Sequence, residues 1–255
     1  EFGYKLVAEC QEKKGQCHTY SALPNTFYRN VPHVNVHQVH LDMHGITATI
    51  HTPWGSGVLH TSLLGRFNLT NLLAVMTTLN LLNIPFADVI NIMAKLSTVN
   101  GRMQVLGGDN CPFVVVDYAH TPDALRQVLV SLRELTQNEI WCVFGCGGQR
   151  DSGKRPLMGQ FAESLADHII LTNDNPRSEP VHKIIADILT GMLKPERVVI
   201  EYDRQRAISH AISCAAPQDV ILVAGKGHER YQEIAGEKID YNDIVEVQLQ
   251  LKEIR

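Results

Sequence analysis

The stretch His168-Ile169-Ile170-Leu171-Thr172-Asn173-Asp174-Asn175-Pro176-Arg177 decides the fold of this 255-residue chain. Its first five residues form an apolar run that reads as a buried strand, and the run stops at a dense polar cluster. Pro176 biases Asn175 away from helical geometry, so the turn is stiff and its side chains are aimed. Arg177 then offers a rigid guanidinium fork at a strand's C-terminal end, where open α/β sheets gather their ligands. A solvated turn whose Asp and Asn cap the next helix is the competing interpretation, and the company of the neighbouring loops weighs against it.

Outward from this stretch, strand and helix alternate. Strands are expected at Phe113 to Tyr118, Ile140 to Gly145, His168 to Thr172, Val198 to Ile200 and Val220 to Ala224. Helices are expected to begin near Thr121, Arg155, Val181, Asp203 and Asn242. The pattern specifies an α/β fold with a mostly parallel sheet covered by helices on both faces. Upstream, short alternating strands (Val39 to Met43, Ile46 to His51, Val58 to Leu64) read as an antiparallel meander. Two helices follow, about Asn68 to Leu82, with Leu72, Val75, Met76, Leu79 and Leu82 on one stripe, and about Ala87 to Leu96. Residues 1 to about 30 carry two short helix-like or irregular pieces. The register changes at Asn100-Gly101-Arg102, which places a domain boundary near residue 103.

A net charge of −4 gives no electrostatic footprint for nucleic acid or an anionic membrane. No signal peptide and no apolar run long enough to cross a bilayer is present. The six cysteines are scattered, with Cys111, Cys142 and Cys214 in apolar segments, which reads as reduced, cytosolic usage. The first residue is Glu1 rather than Met, so the chain reads as cut from a longer protein.

Four polar, glycine-marked loops follow predicted strands and would share one edge of the sheet: Asp117 to Asp123, Gly145 to Arg155, Asp174 to Arg177 and Gly225 to Glu229. Gly145 to Arg155 holds two near-misses. From Gly148 it has the phosphate-loop spacing G-x-x-x-x-G-K, but Arg155 stands where a magnesium-binding Ser or Thr is required. It also approaches G-x-G-x-x-G, with Arg150 in place of the last glycine. What remains is a flexible loop presenting Arg150 and Arg155 to an anion. In the last loop, glycines let backbone carbonyls approach a ligand, and Glu229 supplies a charge suited to an ammonium. His33, His37, His40 and His44 tempt a metal assignment. On a strand, however, His40 and His44 would share a solvated polar face with Gln38 and Asp42, and no protein-built metal site is assigned.

Gly65 to Asn71 (GRFNLTN), Gly101-Arg102-Met103, Val116 to Leu125 (VDYAHTPDAL), Gly145 to Met158, Asp174 to Arg177 and Ala224 to Glu229 together resemble the Mur ligase family, most closely its diaminopimelate-adding members. The resemblance covers essentially the whole chain. It implies the C-terminal part of a central ATPase domain over residues 1–103, then a complete Rossmann-like, amino-acid-binding C-terminal domain over 104–255. The implied reaction is ATP-driven amide formation in cytoplasmic peptidoglycan synthesis. Meso-diaminopimelate would be added to UDP-MurNAc-L-Ala-D-Glu through an acyl phosphate by a monomer that enters no membrane and binds no nucleic acid. The family's G-T-x-G-K-[ST] phosphate loop is not in the sequence, so ATP and Mg2+ would be held mainly by other residues and the chain is expected to be inactive alone.

Carried over by position, the resemblance places Asn68 and Asn71 beside the nucleotide, Arg102 facing its phosphates as the catalytic cation, Asp117 at the ribose and His120 close by. It assigns Arg150, Asp174, Asn175, Pro176, Arg177, Gly225 and Glu229 to the amino acid. The Asp-Asn-Pro-Arg form is the one associated with diaminopimelate, whose second carboxylate a guanidinium can grip with two charge-assisted bonds. The matching hypothesis gives carboxylates to Arg177 and Arg150, and an ammonium to Glu229 and the Gly225 carbonyl. A lysine-adding or folylpolyglutamate-type ligase is the near alternative. A dinucleotide-binding module, with Gly145 to Arg150 on a pyrophosphate and Asp174 on a ribose, is the remote one.

Overall fold

In the computed structural model, which describes residues 2–23 and 31–253, the chain divides into units 1–97 and 98–255. The first unit opens with helix α1 (Phe2–Glu12) and a two-residue strand β1 (Thr19–Tyr20), which pairs in parallel with β2 (His33–Asp42). Strands β2, β3 (Gly45–Thr52) and β4 (Gly55–Thr61) form the expected antiparallel meander. Its first turn is set by Asp42, whose Oδ1 accepts from the His44 and Gly45 amides at 2.7 and 3.1 Å. Inward-facing Val34, Val36, Ile46, Ala48, Ile50 and Leu59 pack against α2 (Arg66–Leu81) and α3 (Phe86–Met93).

Two expectations for this unit are corrected. The buried stripe of α2 runs through Leu69, Leu72, Leu73 and Met76, while Val75 and Leu82 are exposed, because Leu82 lies past the last turn and Val75 on the outer face. His37 does not fall opposite His40, since the two pair with Thr49 and Thr47, alternate residues of one β3 face, and His44 does not continue that strand. A bulge between His37 and His40, with Gln38 at φ +47°, resets the register, and His44 sits in the turn.

The second unit runs β5 (Gln104–Gly108), β6 (Cys111–Asp117), α4 (Pro122–Leu135), β7 (Ile140–Phe144), α5 (Lys154–Leu165), β8 (His168–Leu171), α6 (Val181–Leu189), β9 (Val199–Ile200), α7 (Arg204–Cys214) and β10 (Val220–Ala224). A hairpin of β11 (Tyr231–Ile234) and β12 (Glu237–Asp240) and helix α8 (Asp243–Glu253) complete it. The six-stranded sheet has the order β5-β6-β10-β7-β8-β9, parallel except for the edge strand β5. Strands β7 and β10 are buried at all five positions, as strands covered on both faces must be. Val114, Val116, Val143, Ile221 and Val223 face α7 and α8, and the alternate residues Val115, Cys142, Phe144 and Leu222 are buried on the side of α4. Cys214, expected in an apolar segment, is exposed at the end of α7.

The unit boundary lies six residues before the expected 103, and residues 98–103 explain why. The Gly101 amide donates to Gln104 Oε1 at 2.9 Å and the Met103 amide to buried Asp117 Oδ2 at 2.8 Å. Gly101, at φ +67°, passes so close to Gly227 that a Cβ would sit 2.2 Å from its carbonyl carbon. The segment is therefore tied to the β6 and β10 ends.

Arg204, the first residue of α7, is fully buried and unites the sheet's C-terminal edge. Its Nε and Nη2 grip both oxygens of Asp243 at 2.8 Å. Nη2 also donates to the Ala224 carbonyl at 2.9 Å, and Nη1 to the Asn173 carbonyl at 3.2 Å. Removing one member of such a pair strands a buried charge. Asp243→Ala should destabilise the unit by about 3–5 kcal/mol, measured as a shift in urea unfolding followed by circular dichroism.

Candidate functional site

The turn after β8 is shaped by loops on either side. The Gly148 amide donates to the Asn175 carbonyl at 2.9 Å, and Arg177 Nη1 donates to the Gly148 carbonyl at 2.9 Å. A Cβ at Gly148 would lie 2.0 Å from the Pro176 oxygen, so only glycine permits this contact. On the other side the β11–β12 hairpin joins through main chain. The Arg177 amide donates to the Glu233 carbonyl at 3.0 Å, and the Ala235 amide to the Arg177 carbonyl at 2.7 Å. Gln232 Nε2 adds a bond to the Asp174 carbonyl at 2.9 Å. These bonds hold Arg177 at φ +54°, a left-handed conformation uncommon for a long side chain.

At the centre lies Lys226, whose side chain is wholly buried. Its Nζ donates to Asn175 Oδ1 at 2.9 Å and Glu229 Oε2 at 3.2 Å, and stands 3.7 Å from Asp174 Oδ1. Asn175 Nδ2 donates to the same Glu229 oxygen at 2.9 Å, and Asn175 Oδ1 also accepts from the Glu233 amide at 2.9 Å. Burial pushes the Asp174 carboxyl above its ordinary range, opposed by Arg204 and Lys226. Arg177 Nε lies 3.3 Å from Glu233 Oε2.

The structure thus brings together Asp174, Asn175, Pro176, Arg177, Gly225 and Glu229. Gly225, at φ +118°, faces the Asp174 carboxylate. Arg150 is exposed on the rim, and Gly147 lies between it and Arg177. Arg155 is the correction. Instead of facing an external anion it is buried, bound to Glu179 through two 2.7 Å contacts and to Asp187 at 2.8 Å. A lysine or arginine in a glycine loop reads as solvated, yet here two carboxylates from beyond β8, Glu179 ahead of α6 and Asp187 within it, reach back to take it. Four contributors escaped the sequence: Lys226, the Arg204–Asp243 pair, Gln232 and Glu233. Only Lys226 carried a signal, as a charge one glycine beyond a wholly apolar strand.

A second cluster surrounds Tyr118 after β6. The Arg102 guanidinium lies 4.7 Å from its ring centre, and the rings of His120 and His228 lie at 4.5 and 5.1 Å. His120 Nδ1 pairs with the Tyr118 carbonyl at 2.8 Å, and Lys154 Nζ donates to the His120 carbonyl at 2.8 Å. Asp117, expected at a ribose, is buried with Oδ2 on the Met103 amide, and burial raises its pKa. In the first unit Asn68 donates to the Leu64 carbonyl at 2.8 Å in the first turn of α2, and Asn71 is exposed one turn further on. The dinucleotide alternative fails on geometry. Helix α5 starts only at Lys154, so no helix N-terminus follows Gly145-Cys146-Gly147, and Asp174 is already enclosed by Lys226.

Residues 101–227 match the model of the Mur ligase glutamate ligase domain, and the chain belongs to the Mur ligase family. Among curated proteins, the UDP-N-acetylmuramoyl-L-alanyl-D-glutamate–2,6-diaminopimelate ligase of Haemophilus influenzae (strain 86-028NP) is 50% identical over 205 residues, covering 80% of this chain and 42% of that protein. The protein of the same name from Coxiella burnetii is 50% identical over 202 residues, 79% of this chain and 41% of its own length. A solved structure of a ligase with that name superposes with a TM-score of 0.75 at 37% identity, covering 98% of this chain and 51% of that one. The chain therefore spans about two fifths of the curated relatives it matches.

The Arg155 guanidinium and the Gln149 amide hold the Glu179 carboxyl at about 2, below its ordinary 4.5. A depressed pKa stabilises the fold above the unfolded value and loses that contribution as pH falls through the folded one. Glu179→Gln should therefore be less stable than the parent at neutral pH, with the gap closing between pH 4.5 and 2 in urea midpoints measured across that range.

Proposed function

We propose that this chain supplies the amino-acid-holding part of an ATP-dependent ligase that adds meso-diaminopimelate to UDP-MurNAc-L-Ala-D-Glu in cytoplasmic peptidoglycan precursor synthesis. One observation carries the reading: the Arg177 guanidinium and the Glu229 carboxylate both reach Asn175, so a carboxylate grip and an ammonium grip stand side by side. Arg177 Nη2 and Glu229 Oε1 make no hydrogen bond among the described residues, which leaves each a face for the ligand. The names of relatives 50% identical support the same substrate.

ATP with Mg2+ would supply the phosphoryl group that activates the D-glutamyl carboxylate as an acyl phosphate. The contribution of these residues is positional. Arg177, aided by Arg150 at the rim, holds the far carboxylate, and Glu229 with the Gly225 carbonyl holds the far ammonium. The near amine would then attack the acyl carbon, losing a proton and expelling inorganic phosphate as the acyl C–O bond breaks, a step that gains from fixed orientation rather than from new charge. Exposed Arg102, stacked on Tyr118 with His120 alongside, fits a phosphate-facing cation. In the first unit, Asn68 and Asn71 match by position the family's nucleotide contacts. Among the described residues no three His, Cys, Asp or Glu side chains converge, so magnesium would take its remaining ligands from the nucleotide and from residues outside this set.

In the full-length protein, Arg177→Ala should raise the KM for diaminopimelate about 30-fold or more while the KM for ATP changes less than about twofold. Lysine, which offers no second carboxylate to the Arg177 guanidinium, should be a poor substrate for the parent. Steady-state kinetics with both amino acids test this, and an unchanged diaminopimelate KM rejects the assignment. The 255 residues alone should show no ATP-dependent ligation in the same assay.

A further inference from the structure

Lys226 is the buried cation that the chemistry above leaves unused. Lysine is almost never fully buried without compensation, and here the compensation exceeds the charge. Asp174 and Glu229, little exposed themselves, both approach a single Nζ, whereas buried Arg204 is matched by Asp243 and the two carboxylates on buried Arg155 are more open to solvent. Two carboxylates thus share one ammonium, and Asp174 Oδ1 has no hydrogen-bond partner. Lys226 also decides how Asn175 stands. Because Oδ1 accepts from Lys226 Nζ and the Glu233 amide, Nδ2 must turn to Glu229 Oε2.

Resting on the ligase reading, we propose that Lys226 is a positioning residue of the amino-acid site: it fixes Asn175 and one oxygen of Glu229, and cancels one of two carboxylates, so that the other Glu229 oxygen receives the ligand's ammonium. A point-like ammonium with three donors can serve two acceptors and face a third from within one buried volume. Without it, the Asn175 amide could turn over, and Glu229 would lose its fixed orientation while both carboxylates repelled each other. The substrate ammonium then supplies the last positive charge the cluster lacks.

The test uses the full-length protein with Lys226→Met and Lys226→Arg. Each should raise the KM for diaminopimelate about tenfold or more, with the KM for ATP within about twofold and kcat at saturating diaminopimelate within about threefold. Lys226→Arg retains the cation and reports should the methionine variant not fold, because a planar fork cannot reproduce the same donation. A folded variant with unchanged diaminopimelate KM overturns the proposal, as does a KM for ATP that rises in step. Glu229→Gln, measured alongside, separates the two layers. If it also leaves the diaminopimelate KM unchanged, the ligase site itself is misassigned; if it alone raises that KM, only the role of Lys226 falls.

Discussion

The buried pair of Arg204 and Asp243 is the constraint on which the working edge of the sheet depends. A guanidinium with five donors can satisfy a bidentate carboxylate and still reach two carbonyls. Here those carbonyls belong to Asn173 and Ala224, just past β8 and at the end of β10, two strands separated in the sheet by β7. One side chain therefore sets the spacing between the turn that holds Asp174 to Arg177 and the turn that holds Gly225 to Glu229. Water cannot take its place in so enclosed a location, so the pair must stay intact for the turns to keep their distance.

Glycine provides the second part of this arrangement. Gly145 and Gly148 allow the β7 loop to lie against the carbonyls of Thr172 and Pro176, and Gly227 allows the β10 turn to meet Gly101 and Tyr118. Electrostatics at the centre would be diffuse if these backbones stood further apart. Close approach makes the Lys226 ammonium a neighbour of Asp174, Asn175 and Glu229 together, and burial makes each of those contacts count for more than it would in water.

Much of this was legible in the residues. The apolar runs Ile140–Phe144 and Val220–Ala224 could only be covered strands, and Thr121-Pro122 marks the start of α4 because the Thr121 hydroxyl accepts from the Ala124 amide. The parallel sheet and the gathering of four loops at one edge followed from those runs. Strand β5 did not, since Gly107 and Gly108 break its alternation with positive φ angles and a register shift. The β11–β12 hairpin was hidden for a related reason: its turn is Ala235-Gly236, at φ +52° and +85°, where Asn-Gly would have announced it. Long-range partners were illegible in principle. Nothing local says that Arg155 meets Asp187 or that Arg204 meets Asp243, because those pairings exist only once the helices have docked.

The hairpin carries a consequence for how this edge could change over evolution. It touches the Arg177 turn through peptide groups up to Ala235 and through the Gln232 and Glu233 side chains, whereas residues 235–240 are exposed and Gly236 has open space around it. Selection at the hairpin tip thus acts on backbone shape near Arg177 and hardly at all on side-chain identity further out. The outer surface of the tip can therefore change in length and chemistry without disturbing the turn that holds Arg177.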